Sequence, residues 1–499
     1  VRDEVRAEAP AEVPAEAGEG IRYGWVLAVV VAVQFMVTLD ASVVNVALAA
    51  MREDLGFTES GLLWVVNAYT LVFGGCLLLG GRIADLYGRR LVLWWGLGLF
   101  GLASLAGGIA QSPGQLVAAR AVQGLGAAVL APAALTIVTT CFPEGASRGR
   151  ALGWWSAAGS AGGAAGVLIG GVLTEYLDWR WVLLINVPVV VLAAVAGRMI
   201  PDGRPGRRGR LDVGGALLAT TGLAALVYGV GRTGDHPLSS PLTLGLLGAA
   251  VLLLAGFVPY ESRAARNPLV RLGLFAGRAV SGANVTMLLL AAGQFASFYF
   301  VSLYLQRVLD YSPAVAGLAF IPFCLGFVTS AMLVGRVYAR TGPRAPAAAG
   351  ALVGALGLFW FSRVSADGGF LTDVLGPSLV TSLGIGACVV PLAHAATTGV
   401  PPADAGMASG ILNSAQQVGG SLGLAVTVSV ATSRTTTLTD RGDAPLVALN
   451  DGYGLALLAG AGLLAVAALL TAVLPGRPRR DAEAVAGPDE VKSAPTSVS

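Results

Sequence analysis

Charge is scarce in this chain, and two residue types that carry chemistry are scarcer. Of its 499 residues only 12% are charged, Lys492 is the one lysine, and there are two histidines. Soluble domains carry roughly 25% charged residues, so this composition excludes an ordinary soluble domain. Two histidines exclude a histidine-rich metal centre. The four cysteines, Cys76, Cys141, Cys324 and Cys388, fall in or at the ends of separate apolar stretches. They make no CxxC pair and no metal-ligand spacing, and read as small packing residues. No Gly-x-x-x-x-Gly-Lys loop is present, which excludes a nucleotide-driven pump of the common kind. HExxH is absent, as is GxSxG in a fitting context, and no polar region is large enough to house an active site. Neither enzymatic activity nor a cofactor is therefore expected. A net charge of +3 is too small to point to nucleic acid.

What is abundant is apolar sequence: 55% of residues are hydrophobic and mean hydropathy is +0.72. About 20 apolar residues cross the hydrocarbon core as a helix, the one open-chain form that satisfies its own backbone there. Fourteen such spans are expected, at 24–49, 61–80, 91–110, 115–139, 151–174, 181–197, 213–231, 241–260, 279–306, 312–335, 345–362, 374–400, 405–433 and 453–475. The chain thus reads as an all-α polytopic membrane protein. The 69 glycines suit close approach of membrane helices. Counted by loop, 24 of the 32 basic residues fall on the side shared with the termini, 7 on the other, and Arg120 inside a span. The positive-inside rule then puts both termini in the cytoplasm. Residues 1–20 and 477–499 read as disordered cytoplasmic tails without a signal peptide.

The halves repeat. GRIADLYGRR (Gly81 to Arg90) and GRVYARTGPR (Gly335 to Arg344) both open on Gly-Arg, keep Gly eighth and end on Arg. This predicts two six-helix bundles, 21–200 and 266–476, with an inserted helix pair and its basic loop at 201–265. Repeated halves with a site between them mark secondary transporters.

Four stretches carry candidate chemistry. Asp40, in LDASVVNVAL, is the one acid well inside a span. Burial disfavours the charged form of a carboxyl and a nearby cation favours it, so an acid at depth is suited to gain and lose a proton. Arg120, Gln123, Gly124 and Ala127 share one face of span 4, and an Arg at that depth costs about 2.5–3.5 kcal/mol. Gly159, Gly163, Gly166 and Gly170, with Gly171, form a glycine stripe in span 5 that lets a neighbouring helix press close. In the first repeated loop Gly81 and Gly88 permit tight turns, while Asp85, Arg89 and Arg90 supply charge at helix ends.

Together these stretches resemble the major facilitator superfamily, and within it the fourteen-span drug:proton antiporters of the quaternary-ammonium exporter type. The likeness covers nearly the whole chain. It departs from the family pattern at Leu86, where Arg is usual, at Val167, where the exchange motif has Pro, and at Ser42, where Thr is usual. The resemblance implies a bacterial cytoplasmic membrane protein, monomeric, that exports hydrophobic or cationic drugs in exchange for protons. A dedicated exporter of an endogenous metabolite is the alternative, and a non-transporting membrane sensor a remote one. It implies proton coupling at Asp40 and Arg120, with Asp40 holding either a proton or the cargo. Gly81, Asp85, Gly88, Arg89 and Arg90 become a conformational latch, and the span 5 glycines the exchange motif. Asn45, Trp64, Asn67, Tyr69, Gln123, Asn413, Gln416 and Gln417 are candidates for the cavity wall. Trp179, Arg180 and Trp181 are expected as an interfacial anchor, and His394 near the cytoplasmic end of span 12.

Overall fold

The computed structural model describes residues 23–142, 146–200, 211–234, 236–264, 268–401 and 404–474. Both expected tails and the basic cluster Arg204, Arg207, Arg208 and Arg210 lie outside them. The described chain is helical throughout: α1 (Tyr23–Leu55), α2 (Glu59–Tyr87), α3 (Arg89–Gly108), α4 (Pro113–Cys141), α5 (Ala146–Tyr176), α6 (Trp181–Leu184), α7 (Asn186–Ala196), α8 (Val213–Arg232), α9 (Pro241–Pro259), α10 (Arg278–Leu303), α11 (Pro313–Ala319), α12 (Ile321–Thr341), α13 (Arg344–Phe361), α14 (Leu375–Thr397), α15 (Ala405–Asp440) and α16 (Pro445–Leu470).

Among the described residues twelve helical segments are long and apolar enough to cross a membrane. Two expected spans fall outside that number for different reasons. Trp181–Ala196 is apolar but short, broken at Ile185 between α6 and α7. Helix α15 is 36 residues long, but Asn413, Gln416, Gln417 and its many Ser and Thr dilute its apolar content. The last span starts eight residues before its expected position, because Pro445 at the first turn opens a helix without losing a needed N–H. Its extra turns carry Asp451, paired with Arg434 at 2.8 Å, and Asn450, which donates to the Val364 carbonyl at 3.1 Å.

Helices α1 to α7 pack on one another, as do α10 to α16. The two groups meet where α2 lies along α15 and where α5 and α1 meet α11 and α10. The pair α8/α9 lies against the α2–α15 seam through α8. There Thr233 and Ser429 share a 2.6 Å hydrogen bond and Tyr228 meets Trp64 edge-on at 5.4 Å. The internal repeat is visible in the backbone. Gly88 (φ 90°) separates α2 from α3, and Gly342 (φ 74°) ends α12. Both eighth-position glycines adopt a conformation that side chains with a Cβ resist.

Candidate functional site

Small residues set the site by letting helices touch. A Cβ on Gly80 would stand 2.0 Å from the Ala128 carbonyl oxygen, and one on Gly124 2.4 Å from that of Tyr69. With α2 and α4 this close, Arg120 of α4 reaches across, and its Nε donates to the Val65 carbonyl at 3.0 Å. Its Nη1 lies 2.6 Å from Asp40 Oδ2 and also donates to Gln123 Oε1 at 2.7 Å. Asp40 Oδ1 accepts from Gln123 Nε2 and from Asn186 Nδ2, each at 2.7 Å. Gln123 Nε2 donates further to Ser104 Oγ at 2.9 Å. Asp40 is fully buried, and Arg120, Gln123 and Asn186 are each 1% exposed. Four helices, α1, α3, α4 and α7, thus contribute to one closed polar cluster. A buried ion pair is tolerable when its remaining donors and acceptors are also satisfied, and this one meets that condition at both carboxylate oxygens.

Beside the cluster lies a cavity of about 1200 Å³ between the two groups of helices. Tyr69 is the partition. The residue borders the cavity while itself fully buried, and the Arg120 guanidinium carbon sits 4.4 Å from its ring centroid, within cation–π range. Asp40, Arg120 and Gln123 do not line the cavity. The expectation that cargo touches the Asp40 carboxyl is corrected here: Tyr69 and the packing of α2 on α4 bury that group away from the open space.

Of the side chains expected on the wall, Asn45, Tyr69, Asn413, Gln416 and Gln417 line the cavity, and Trp64, Asn67 and Gln123 do not. Asn67 turns to α15 instead, donating to the Ser421 carbonyl at 3.2 Å. Trp64 packs on the inserted pair. Phe73, Phe295, Phe298, Phe323 and Phe327 add aromatic wall.

The cavity reaches Gly81, Arg82, Pro268, Arg271 and Met407, at the end of the bundle holding the repeated loops. At the opposite end the two groups are joined. Ser302 Oγ donates to the Asn45 carbonyl at 2.8 Å, Gln306 Nε2 to that of Val46 at 3.0 Å, and the Ala314 N–H to Glu175 Oε2 at 2.8 Å. Gly171 presses on α11, where a Cβ would meet the Pro313 oxygen at 2.4 Å.

The glycine stripe also resolves differently. The residues against α1 are Gly159, Gly162, Gly166 and Gly170, whose added Cβ atoms would meet Gln34, Thr38, Ser42 and Val43. Gly163 has nothing within 4 Å of such a Cβ and borders the cavity. The expected stripe is thus wrong at one position. Gly162 is the contact, because 159, 162, 166 and 170 follow the helical repeat along one face of α5 while 163 stands beside it.

In the loop expected as a latch, Gly81 and Arg82 border the cavity, Gly88 sets the turn, and Arg89 and Arg90 open α3. The Asp85 side chain lies outside the described residues. His394 stacks on Tyr338 with ring centroids 4.8 Å apart. Trp179 is no surface anchor: it is 3% exposed and its indole N–H donates to Asp54 at 3.0 Å. Trp181 is exposed.

Sequence reading missed Asn186, Ser104 and Gly162. Asn186 had a signal, as a polar residue within an otherwise apolar span. Ser104 had none, since a lone serine in a membrane helix usually satisfies itself on its own backbone.

Two helical groups, a cavity between them and a closed ion pair beside it define a secondary membrane transporter. The chain belongs to the Major Facilitator Superfamily, whose sequence pattern matches residues 30–424. It is similar to the puromycin resistance protein pur8 of Streptomyces alboniger (43% identity over 473 residues, 93% of this chain and 94% of that one). It is also similar to the cephamycin export protein CmcT of Amycolatopsis lactamdurans (45% over 449 residues, 89% and 91%). In fold it matches a bacterial homologue of the human lysosomal transporter Spinster, at a TM-score of 0.66 and 15% identity, over 90% of this chain and 96% of that one.

Proposed function

We propose that this protein exports a bulky amphipathic small molecule across the bacterial cytoplasmic membrane in exchange for protons. In this reading it acts as a monomer with fourteen crossings and both termini in the cytoplasm. Two six-helix bundles, 21–200 and 266–476, rock about the central cavity, and the pair within 201–265 rides beside them. The observation that carries the reading is the Asp40–Arg120 pair, closed off from the cavity by Tyr69.

Proton and cargo then occupy different places and communicate through Arg120. With Asp40 ionised, Arg120 is held by the carboxylate. When Asp40 takes a proton, that attraction is lost and Arg120 leans on its remaining contacts, the Val65 carbonyl, Gln123 and the face of Tyr69. Cargo against the cavity side of Tyr69 acts on the same ring from the other direction. Gly81, Asp85, Gly88, Arg89 and Arg90 serve as the latch at the cavity mouth, and the α5 glycines as the surface on which α1 moves. Each charge moved across 100 mV is worth about 2.3 kcal/mol, enough to drive cargo uphill several tens-fold.

The test is transport by purified protein in liposomes with an imposed pH step. Cargo should move against the step in direction and stop when the step is collapsed. Equal transport with no gradient would overturn the reading. A second reading, a dedicated exporter of a metabolite made by the same cell, is compatible with relatives named for puromycin resistance and cephamycin export. A narrow resistance spectrum would support it and a broad one would exclude it.

A further inference from the structure

The wall of the cavity carries polarity of an unusual kind. Gln34 of α1, Gln294 of α10, and Gln416 and Gln417 of α15 border it, and none of these four side-chain amides has a hydrogen-bond partner among the described residues. Each amide offers both donors and an acceptor. They share the wall with Phe295, Phe298 and Phe323; Phe298 stacks on Phe320 at 5.5 Å and meets Phe323 edge-on at 4.8 Å.

No carboxyl lines the cavity among the described residues. The nearby acid, Asp40, has both oxygens engaged by Arg120, Gln123 and Asn186 behind Tyr69. The charged side chains on the wall are Arg82 and Arg271, both at the mouth, and Arg271 is paired with Asp404. A cation brought here would lose its water and meet no counter-charge, which is costly. An uncharged molecule with carbonyl or hydroxyl groups would lose water too, but four free amides replace it, and its rings meet aromatic faces.

Building on the export reading above, we propose that the cavity selects uncharged, ring-bearing molecules with hydrogen-bond acceptors, over cations of the same size and shape. Selection is by amide pairing and aromatic contact, without a counter-ion in the wall.

The test is equilibrium binding to the purified full chain of two compounds matched in shape, triphenylphosphine oxide (uncharged, one strong acceptor) and methyltriphenylphosphonium (a cation). Wild type should bind the oxide at least tenfold more tightly. Gln417→Glu places an acid in the wall and should reverse the order. Gln34→Glu, on a different helix, should do the same and guards against a folding defect in the first variant. Methyltriphenylphosphonium bound as tightly as the oxide by wild type, or neither compound bound, would overturn the proposal. Unchanged preference in both variants would overturn it as well. Binding is read without a pH gradient, so a wild type that prefers the cation while still showing gradient-driven transport would sink this inference and leave the export reading standing.

Discussion

The Arg120 guanidinium lies 4.4 Å over the ring of Tyr69, a residue that also borders the central cavity. One aromatic plane therefore separates a buried ion pair from the space where cargo would sit. Tyr69 is fully buried, and its hydroxyl points to the Val37 carbonyl at 3.5 Å, a contact at the limit of a hydrogen bond. The ring, more than the hydroxyl, does the separating.

Tyr69→Phe should therefore transport nearly as wild type, and Tyr69→Ala should leak protons without cargo. Removing a buried ring costs about 3–5 kcal/mol, so the alanine variant is also expected to melt earlier. Acidification of liposomes carrying each variant, with no cargo present, distinguishes them. A tight alanine variant would mean that the partition lies elsewhere.

Asn186 gives Asp40 one of its donors. Asn186→Ala should destabilise the protein by about 1–3 kcal/mol, the cost of a buried acceptor left short of a partner, and slow coupled transport. Thermal unfolding in detergent and pH-driven transport rates check the two effects. Neither effect would follow if the Asn186 contact were incidental.

The glycines of α5 make a sharp contrast. Gly166→Ala would force a methyl to within 2.0 Å of Ser42 Oγ and 2.7 Å of the Leu39 carbonyl oxygen, and overpacking of this kind costs about 1–3 kcal/mol. Gly163→Ala meets open space and should be tolerated, with at most a change in which cargo fits. Expression level and melting temperature of the two variants, side by side, decide the matter.

Closure away from the mouth rests on Ser302 and Gln306, which donate to backbone carbonyls of α1. The double variant Ser302→Ala, Gln306→Ala should open that end more often. Spin labels at Leu177 and Leu318, both exposed, should show a larger share of long distances than in the unmutated protein. An unchanged distribution would place the closing energy in the α5–α11 packing around Gly171 instead.

Much of this was legible in the sequence because charge inside a span is so unusual. Asp40 and Arg120 stand out on cost alone, and they meet at 2.6 Å. The repeated loops predicted a matching turn, and Gly88 and Gly342 share it. What could not be read was which neighbour each helical face meets. Asn67 and Tyr69 are two residues apart on α2, yet one faces α15 and the other the cavity and Arg120. Gly162 and Gly163 are adjacent, and a rotation of α5 by part of a turn exchanges their roles. Periodicity fixes which residues share a face and leaves open what lies opposite, so the partition at Tyr69 needed three dimensions.

The most direct measurement is proton release on adding cargo to detergent-purified protein in weak buffer, for wild type and Asp40→Asn. Asn fills the same volume and still accepts from Asn186, so the fold should survive. Wild type should release protons as cargo binds; Asp40→Asn should bind cargo with similar affinity and release none. Release of the same size from the variant, or loss of cargo binding in a variant that remains folded, would contradict a proton site at Asp40 that is separate from the cargo.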